Sequence, residues 1–278
     1  MNALPRVVLG GAAMALSACS GSATLSARDV YTIIDELDVA VRAEALAEPG
    51  VQFASGSAMN AASPTEAAAS LERALVQYPC VDVVRTGASL SVAFSATLYN
   101  TYCGTGAGGG QIPVSGEETI TFLQADGLNT SVDHAWKAVS NGYLTIDGTA
   151  HVTTAVTPYG SSQHVVNTLS WVRTSDGKSG HGQDDRTSPV TSLTDQAILP
   201  TGLRTWESDA GAWEMRPIDA RLQDATTQLP FVGSFAVVTP ERRALTFSVL
   251  YDSNGARLVL TDGTRSYSFN SPSGAPTE

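Results

Sequence analysis

Ser89-Leu90-Ser91-Val92-Ala93-Phe94-Ser95-Ala96-Thr97-Leu98 sets an apolar side chain at every second position, with small or hydroxylated residues between. A period of two is the signature of a strand with one face in a core and the other in water. Leu245, Phe247, Val249 and Tyr251 repeat it. Shorter versions occur at Ile120 and Phe122, Leu144 and Ile146, Ala150 and Val152, and Tyr267 and Phe269. Between these stretches lie Asp126-Gly127, Asn141-Gly142, Asp147-Gly148, Asp176-Gly177, Asn254-Gly255 and Asp262-Gly263. Such pairs accept the positive φ of tight hairpin turns. The expected fold class is therefore mainly β: an antiparallel meander forming a sandwich or half-barrel, a choice that alternation alone does not make.

Upstream the period changes to that of a helix. From Asp29 to Ala47, the residues Val30, Ile33, Ile34, Leu37, Val41 and Ala45 recur at helical spacing, with Ser26 and Asp29 placed as a capping box. Asp35, Glu36, Asp38, Arg42 and Glu44 make its charged side. Gly50 to Ser63 reads as a separating segment. A second helix then starts with Ser63 as N-cap, Pro64 at the first position and Glu66 three past the cap, and it buries Ala68, Leu71, Leu75 and Tyr78. Pro79 disfavours helical geometry at Tyr78 and ends it. The organisation expected is a helical pair over 29–79 packed on a β domain over 80–278, with Thr187 to Pro200 as the place where a split would fit.

The chain has 278 residues, 16 Lys and Arg against 27 Asp and Glu, and a net charge of −11. That balance argues against a nucleic-acid partner, because phosphate binding needs clustered cations. At the N-terminus, Arg6 precedes the apolar run Val7 to Leu16, which is too short to span a bilayer but suits the central region of an export signal. Leu16-Ser17-Ala18-Cys19 follows and resembles the bacterial lipobox. The resemblance implies that residues 1–18 are a signal peptide cleaved before Cys19. It also implies a diacylglyceryl group on the Cys19 sulfur, a further acyl chain such as palmitate on the new amine, and a cell-envelope location with the membrane as partner. Residues 19–28 would be the tether. Ser20 stands where aspartate is an inner-membrane retention signal in some bacteria, which by analogy favours the outer membrane. An ordinary signal peptide cut after Ala13-Met14-Ala15 is the competing reading.

With Cys19 lipidated, Cys80 and Cys103 remain. An even pair in an oxidising compartment is expected to bridge, worth roughly 3 to 4 kcal/mol in the chain-entropy model. Two free thiols or a metal site are the alternatives.

Candidate chemistry is thin. There is no G-x-S-x-G, H-E-x-x-H or EF-hand pattern, and His134, His151, His164 and His181 are scattered. His151 reads as a solvent-facing strand residue. The stretch Thr174 to Arg186 reads as a glycine-rich loop in which His181, Asp184 and Asp185 are candidate metal ligands, opposed by Lys178 and Arg186. Trp206 and Trp213 flank Ser208-Asp209-Ala210-Gly211; on a hairpin the indoles would face each other, as a glycan platform or as sheet packing. Gly104 to Gly110 lacks the lysine and helix of a phosphate loop. The function expected is a non-enzymatic binding or structural role on the cell envelope, with a protein or glycan partner and no cofactor. A membrane-anchored hydrolase or metal-dependent enzyme using the His181 loop is one alternative. A carrier of an apolar ligand in a curved sheet, which requires a deep cavity, is the other.

Overall fold

The computed structural model describes residues 25–78, 80–95, 115–157, 160–192, 201–222, 231–252 and 255–270. The export signal, Cys19, Cys103 and the 104–110 glycine run lie outside them.

Two helices precede one continuous sheet. Helix α1 spans Ala27–Met59 and α2 spans Pro64–Leu75. The strands are β1 Val81–Thr86, β2 Ser89–Ser95, β3 Ser115–Ala125, β4 Asn129–Ser140, β5 Leu144–Thr157, β6 Gly160–Arg173 and β7 Ser179–Ser192. They continue as β8 Thr201–Ser208, β9 Gly211–Leu222, β10 Phe231–Val238, β11 Ala244–Asp252, β12 Gly255–Thr261 and β13 Ser266–Asn270. Among the described residues each strand pairs antiparallel with its chain neighbours alone, so the 13 strands described lie side by side in sequence order and the sheet is not closed. The expected meander with two N-terminal helices is what the chain forms, and it runs from β7 to β8 without a break in pairing at the place where a split would have fitted.

The alternation in β2 and β11 works as expected: Leu90, Val92, Phe94, Leu245, Phe247 and Val249 are all buried. Four of the turn pairs sit in hairpins, with Gly127, Gly142, Gly177 and Gly263 at positive φ. Asp147-Gly148 does not turn. It lies inside β5, where Trp136 faces Gly148 beside a register shift and a Cβ on Gly148 would strike the Thr168 carbonyl. The glycine is there for close approach rather than for reversal of the chain.

Helix α1 is also longer than its sequence indicates. It starts at the expected capping box, with the Asp29 amide donating to Ser26 Oγ at 3.2 Å and the Ser26 amide to Asp29 Oδ2 at 3.1 Å. It then continues through Pro49 and Gly50 to Met59, so the segment expected to separate the helices shrinks to Asn60–Ser63. Tertiary burial explains the extension, since Pro49, Val51, Ala54, Ser55 and Ala58 are all covered. Helix α2 begins at the expected cap, with the Glu66 amide donating to Ser63 Oγ at 3.2 Å, and ends three residues short of Tyr78.

The sheet curls around α1. Asp35 meets Arg173 at one end of β6 and Ser55 meets Gln163 near the other, so the helix lies along that strand in the opposite sense. It packs on β3 to β6 and also touches β12. Tyr31 stands edge-on to Phe269 of β13, with ring centroids 6.2 Å apart. One helix reaches strands so far apart in the sheet only because the sheet bends about it, as its natural twist and coiling allow. Helix α2 covers β1 to β3.

A candidate functional site between helix and sheet

The inner face of the sheet changes character across its width. From β2 to β5 it is mainly apolar, with Glu118 and His134 buried among the apolar residues, and from β10 to β13 it is apolar, whereas β6 to β8 turn Gln163, Asn167, Asp184, Arg186, Ser188 and Arg204 inward, all buried. Helix α1 presents a matching stripe of Glu36, the Ala40 carbonyl, Glu44, Glu48 and Ser55. Glu36 and Glu44, expected on the charged side of the helix, are buried at 4% and 5% exposure.

At the centre of this layer Glu44 bridges two guanidinium groups. Arg204 Nη1 donates to Glu44 Oε2 at 2.6 Å, and Arg186 Nη1 contacts Glu44 Oε1 and Asp184 Oδ2. Arg186 Nη2 donates to Glu48 Oε2 at 2.7 Å, and Arg204 Nη2 donates to the Ala40 carbonyl. Three carboxyl groups thus face two arginines. Burial is the main influence on Asp184, Glu48, Arg186 and Arg204. It raises Asp184 to about 7, with Glu48 and Asp185 adding to the rise and Arg204 opposing it. It also raises Glu48 and lowers Arg186 to about 9 and Arg204 to about 10. Burial disfavours the charged form of each of these four groups.

A second ionic group fixes the other end of the stripe. Lys178 Nζ lies 2.7 Å from Asp35 Oδ2 and 2.6 Å from Glu36 Oε1, and Arg173 reaches Asp35 and Asp176. Burial alone would raise the Asp35 carboxyl, but hydrogen bonds from Arg173 and Lys178 outweigh it and hold the group below its ordinary value.

The residues singled out by sequence fall around this layer differently from expectation. Thr174 to Arg186 is a turn followed by the first half of β7 rather than a loop. Strand alternation sends Asp184 inward and leaves His181 and Asp185 exposed on the other face, so the three do not converge. Asp185 pairs with His164 at 2.8 Å, and His181 lies 3.9 Å from Glu207. Among the described residues no cluster of metal-ligating side chains forms. His151 is exposed, as expected, and pairs with Asp133 at 2.6 Å.

Trp206 and Trp213 do face each other across β8 and β9, stacked at 5.7 Å and 3°. They are 3% and 2% exposed, and Arg204 lies over Trp206 at 5.9 Å, so the pair forms a floor under the arginine. Cys80 is buried at the entry to β1, whereas Cys103 lies outside the described residues.

Sequence reading missed one further buried pair. His134 Nδ1 lies 2.8 Å from Glu118 Oε1, the imidazole stacks on Trp136, and Nε2 is buried without a hydrogen-bond partner. The bare Cα of Gly50 on α1 makes room for the Glu118 carboxylate.

Beside the central cluster, α1 stands off the sheet. A cavity of about 40 Å³ opens there between Glu44, Arg186 and Arg204 on one side and Met215, Pro217 and Phe235 of β9 and β10 on the other. The long arginine side chains span the gap. No known family, curated protein or solved structure matches the chain.

Proposed function

We propose that this chain is a lipid-anchored cell-envelope protein with a non-enzymatic binding role, attached through Cys19 at the outer membrane. The Leu16-Ser17-Ala18-Cys19 sequence supports the anchor, and the few residues between Cys19 and the buried Leu25 would hold the folded part close to the bilayer. Among the described residues no helix is long and apolar enough to cross a membrane. The observation that carries the binding role is the way the inner face of the sheet is covered. A separate helix lies on it, its apolar residues such as Leu37, Ala43, Leu46 and Val51 sharing one core with the sheet, while charged groups span a partly open gap toward β7 and β8. A helix so buried is part of the core, and a gap of about 40 Å³ falls short of the deep cavity that a carrier of an apolar ligand requires, which favours presentation of loops to an envelope protein or glycan partner. A Cys80–Cys103 bridge would tie the exit of α2 to the sheet.

Intact mass of the membrane-extracted protein, before and after reduction and thiol alkylation, tests this reading. An N-terminus at Cys19 bearing acyl mass, with two thiols alkylated only after reduction, is the expected result. An unacylated chain cut elsewhere and recovered in the soluble fraction overturns the anchor.

A further inference from the structure

The outer face of the sheet carries a trough directly behind the central cluster, and it narrows the binding role just proposed, on which this step rests. The alternation that turns Asp184, Arg186, Arg204 and Met215 inward turns Gln183, Asp185, Leu203, Thr205 and Arg216 outward. Together with Val166 of β6 these five line a cavity of about 520 Å³ across β6 to β9. Small-molecule sites usually measure roughly 300 to 1,000 Å³. The floor is aliphatic, with Val166 at 41% exposure and Leu203 half-buried. The rim is polar. Asp185 pairs with Leu203 across β7 and β8, and Arg216 follows Met215, the partner of Arg204, so a carboxylate and a guanidinium stand on either side of Leu203. Two strand spacings separate them, about 10 Å. Gln183 and Thr205 pair in the next row. Among the described residues the side chains of Gln183, Thr205 and Arg216 have no hydrogen-bond partner, and Asp185 spends one oxygen on His164.

Unspent donors and acceptors around an aliphatic floor complement a pyranose, whose rim is hydroxylated and whose face is C–H. Such a ring, with a hydrogen bond of about 2.8 Å on each side, fills the span between Asp185 and Arg216. An extended peptide fits less well, because β6 to β9 each have a neighbour on both sides and their main chains cannot take another strand. We propose that the trough binds a saccharide unit of an envelope glycan. The ring lies over Leu203, donates hydroxyl protons to Asp185 and the Gln183 carbonyl, and accepts from Arg216 and Thr205. The stacked tryptophans, the glycan platform expected from sequence, are buried on the opposite face and take no part.

The test is heteronuclear NMR on the full mature chain with Cys19→Ala, which keeps detergent out of the assay. Three probes are titrated: the disaccharide of N-acetylglucosamine and N-acetylmuramic acid, lipid-free core oligosaccharide of lipopolysaccharide, and a peptidoglycan stem peptide. Saturable shifts confined to β6 to β9 are expected with at least one of the two saccharides, and none with the peptide. Arg216→Ala and Gln183→Ala should each weaken that binding roughly fivefold, the worth of one hydrogen bond, and neither change strands a partner. Thr205→Trp fills the trough and should abolish binding with the dispersion of the spectrum retained. Lys137→Ala, at an exposed position on β4, should leave it unaltered. Saturable binding of neither saccharide by the folded protein overturns the proposal, as do shifts centred elsewhere or unaltered affinity in the Arg216 and Gln183 variants. Saturable binding of the peptide alone also overturns it and gives the trough to a protein partner. Each of these failures leaves the anchor reading intact, because that reading is decided by the mass of the N-terminus.

Discussion

A single carboxyl, Asp184, carries a measurable share of the pH dependence of stability. Its folded value, raised to about 7 by burial, lies above the ordinary carboxylate range. The folded state therefore binds a proton that the unfolded chain releases between about pH 4 and 7, so its contribution is fully present below about pH 4 and is lost as pH rises to 7. Three pH units of difference correspond to about 4 kcal/mol. Asp35, Asp126 and Asp176 are shifted the opposite way and lose stability on acidification, which masks the effect in the wild type. Asp184→Asn removes the downward slope, and urea titrations at pH 5 and pH 8 should show the variant gaining relative to the wild type at the higher pH. Removing an arginine instead leaves its carboxylates stranded, and Arg186→Met alone should cost about 3 to 5 kcal/mol by the same assay. Gly50→Ala tests the neighbouring pair. The new methyl drives the Glu118 carboxylate off His134, and a net loss of about 1 to 2 kcal/mol is expected in spite of the better helix propensity of alanine.

Among the elements, Gly148 makes the sharpest prediction. Gly148→Ala places a methyl against the Thr168 carbonyl at a positive φ, so β5 must part from β6 locally, and a loss of about 2 to 4 kcal/mol is expected in thermal or chemical unfolding. Ser63→Ala at the start of α2 should cost only about 1 kcal/mol, the usual worth of an N-cap. These two positions also mark what sequence discloses and what it hides. The cap is a local hydrogen bond between near neighbours and is written in local residue order. Gly148 follows an aspartate, as a turn glycine does, and only the partner strand distinguishes a close approach from a reversal. Strands β2 and β11 were legible because their inner residues are apolar. Strands β6 and β7 were not, because Gln163, Asn167, Asp184 and Arg186 look like solvent residues until the stripe on α1 is placed opposite them. The extension of α1 through Pro49 and Gly50 was hidden for the same reason, since packing against the sheet outweighs their poor propensity. The central cluster joins residues from three elements, and neither the loop reading of Thr174 to Arg186 nor the charged side given to α1 could bring them together.

For the whole molecule, the predictions concern attachment and cross-linking. Cys19→Ala should shift the protein from the membrane to the soluble fraction while leaving its circular dichroism unchanged, because the described fold begins after that residue. Reduction should lower the melting temperature, with a stability loss of roughly 3 kcal/mol if the Cys80–Cys103 loop is closed. The order of assembly follows from the strand order. Every strand joins its predecessor, so the sheet can grow one hairpin at a time as synthesis proceeds. The helix that fills it is made first, yet its ionic partners on the sheet are 138 to 160 residues away in the chain. Until β6, β7 and β8 are complete, α1 is an acidic, partly apolar segment without its counter-charges, and the growing sheet must close around it last. A nascent chain stopped before Arg173 would hold hairpins already formed beside a helix docked on β3 to β5 by apolar packing, with the carboxylates of its polar stripe still awaiting the cations of the later strands.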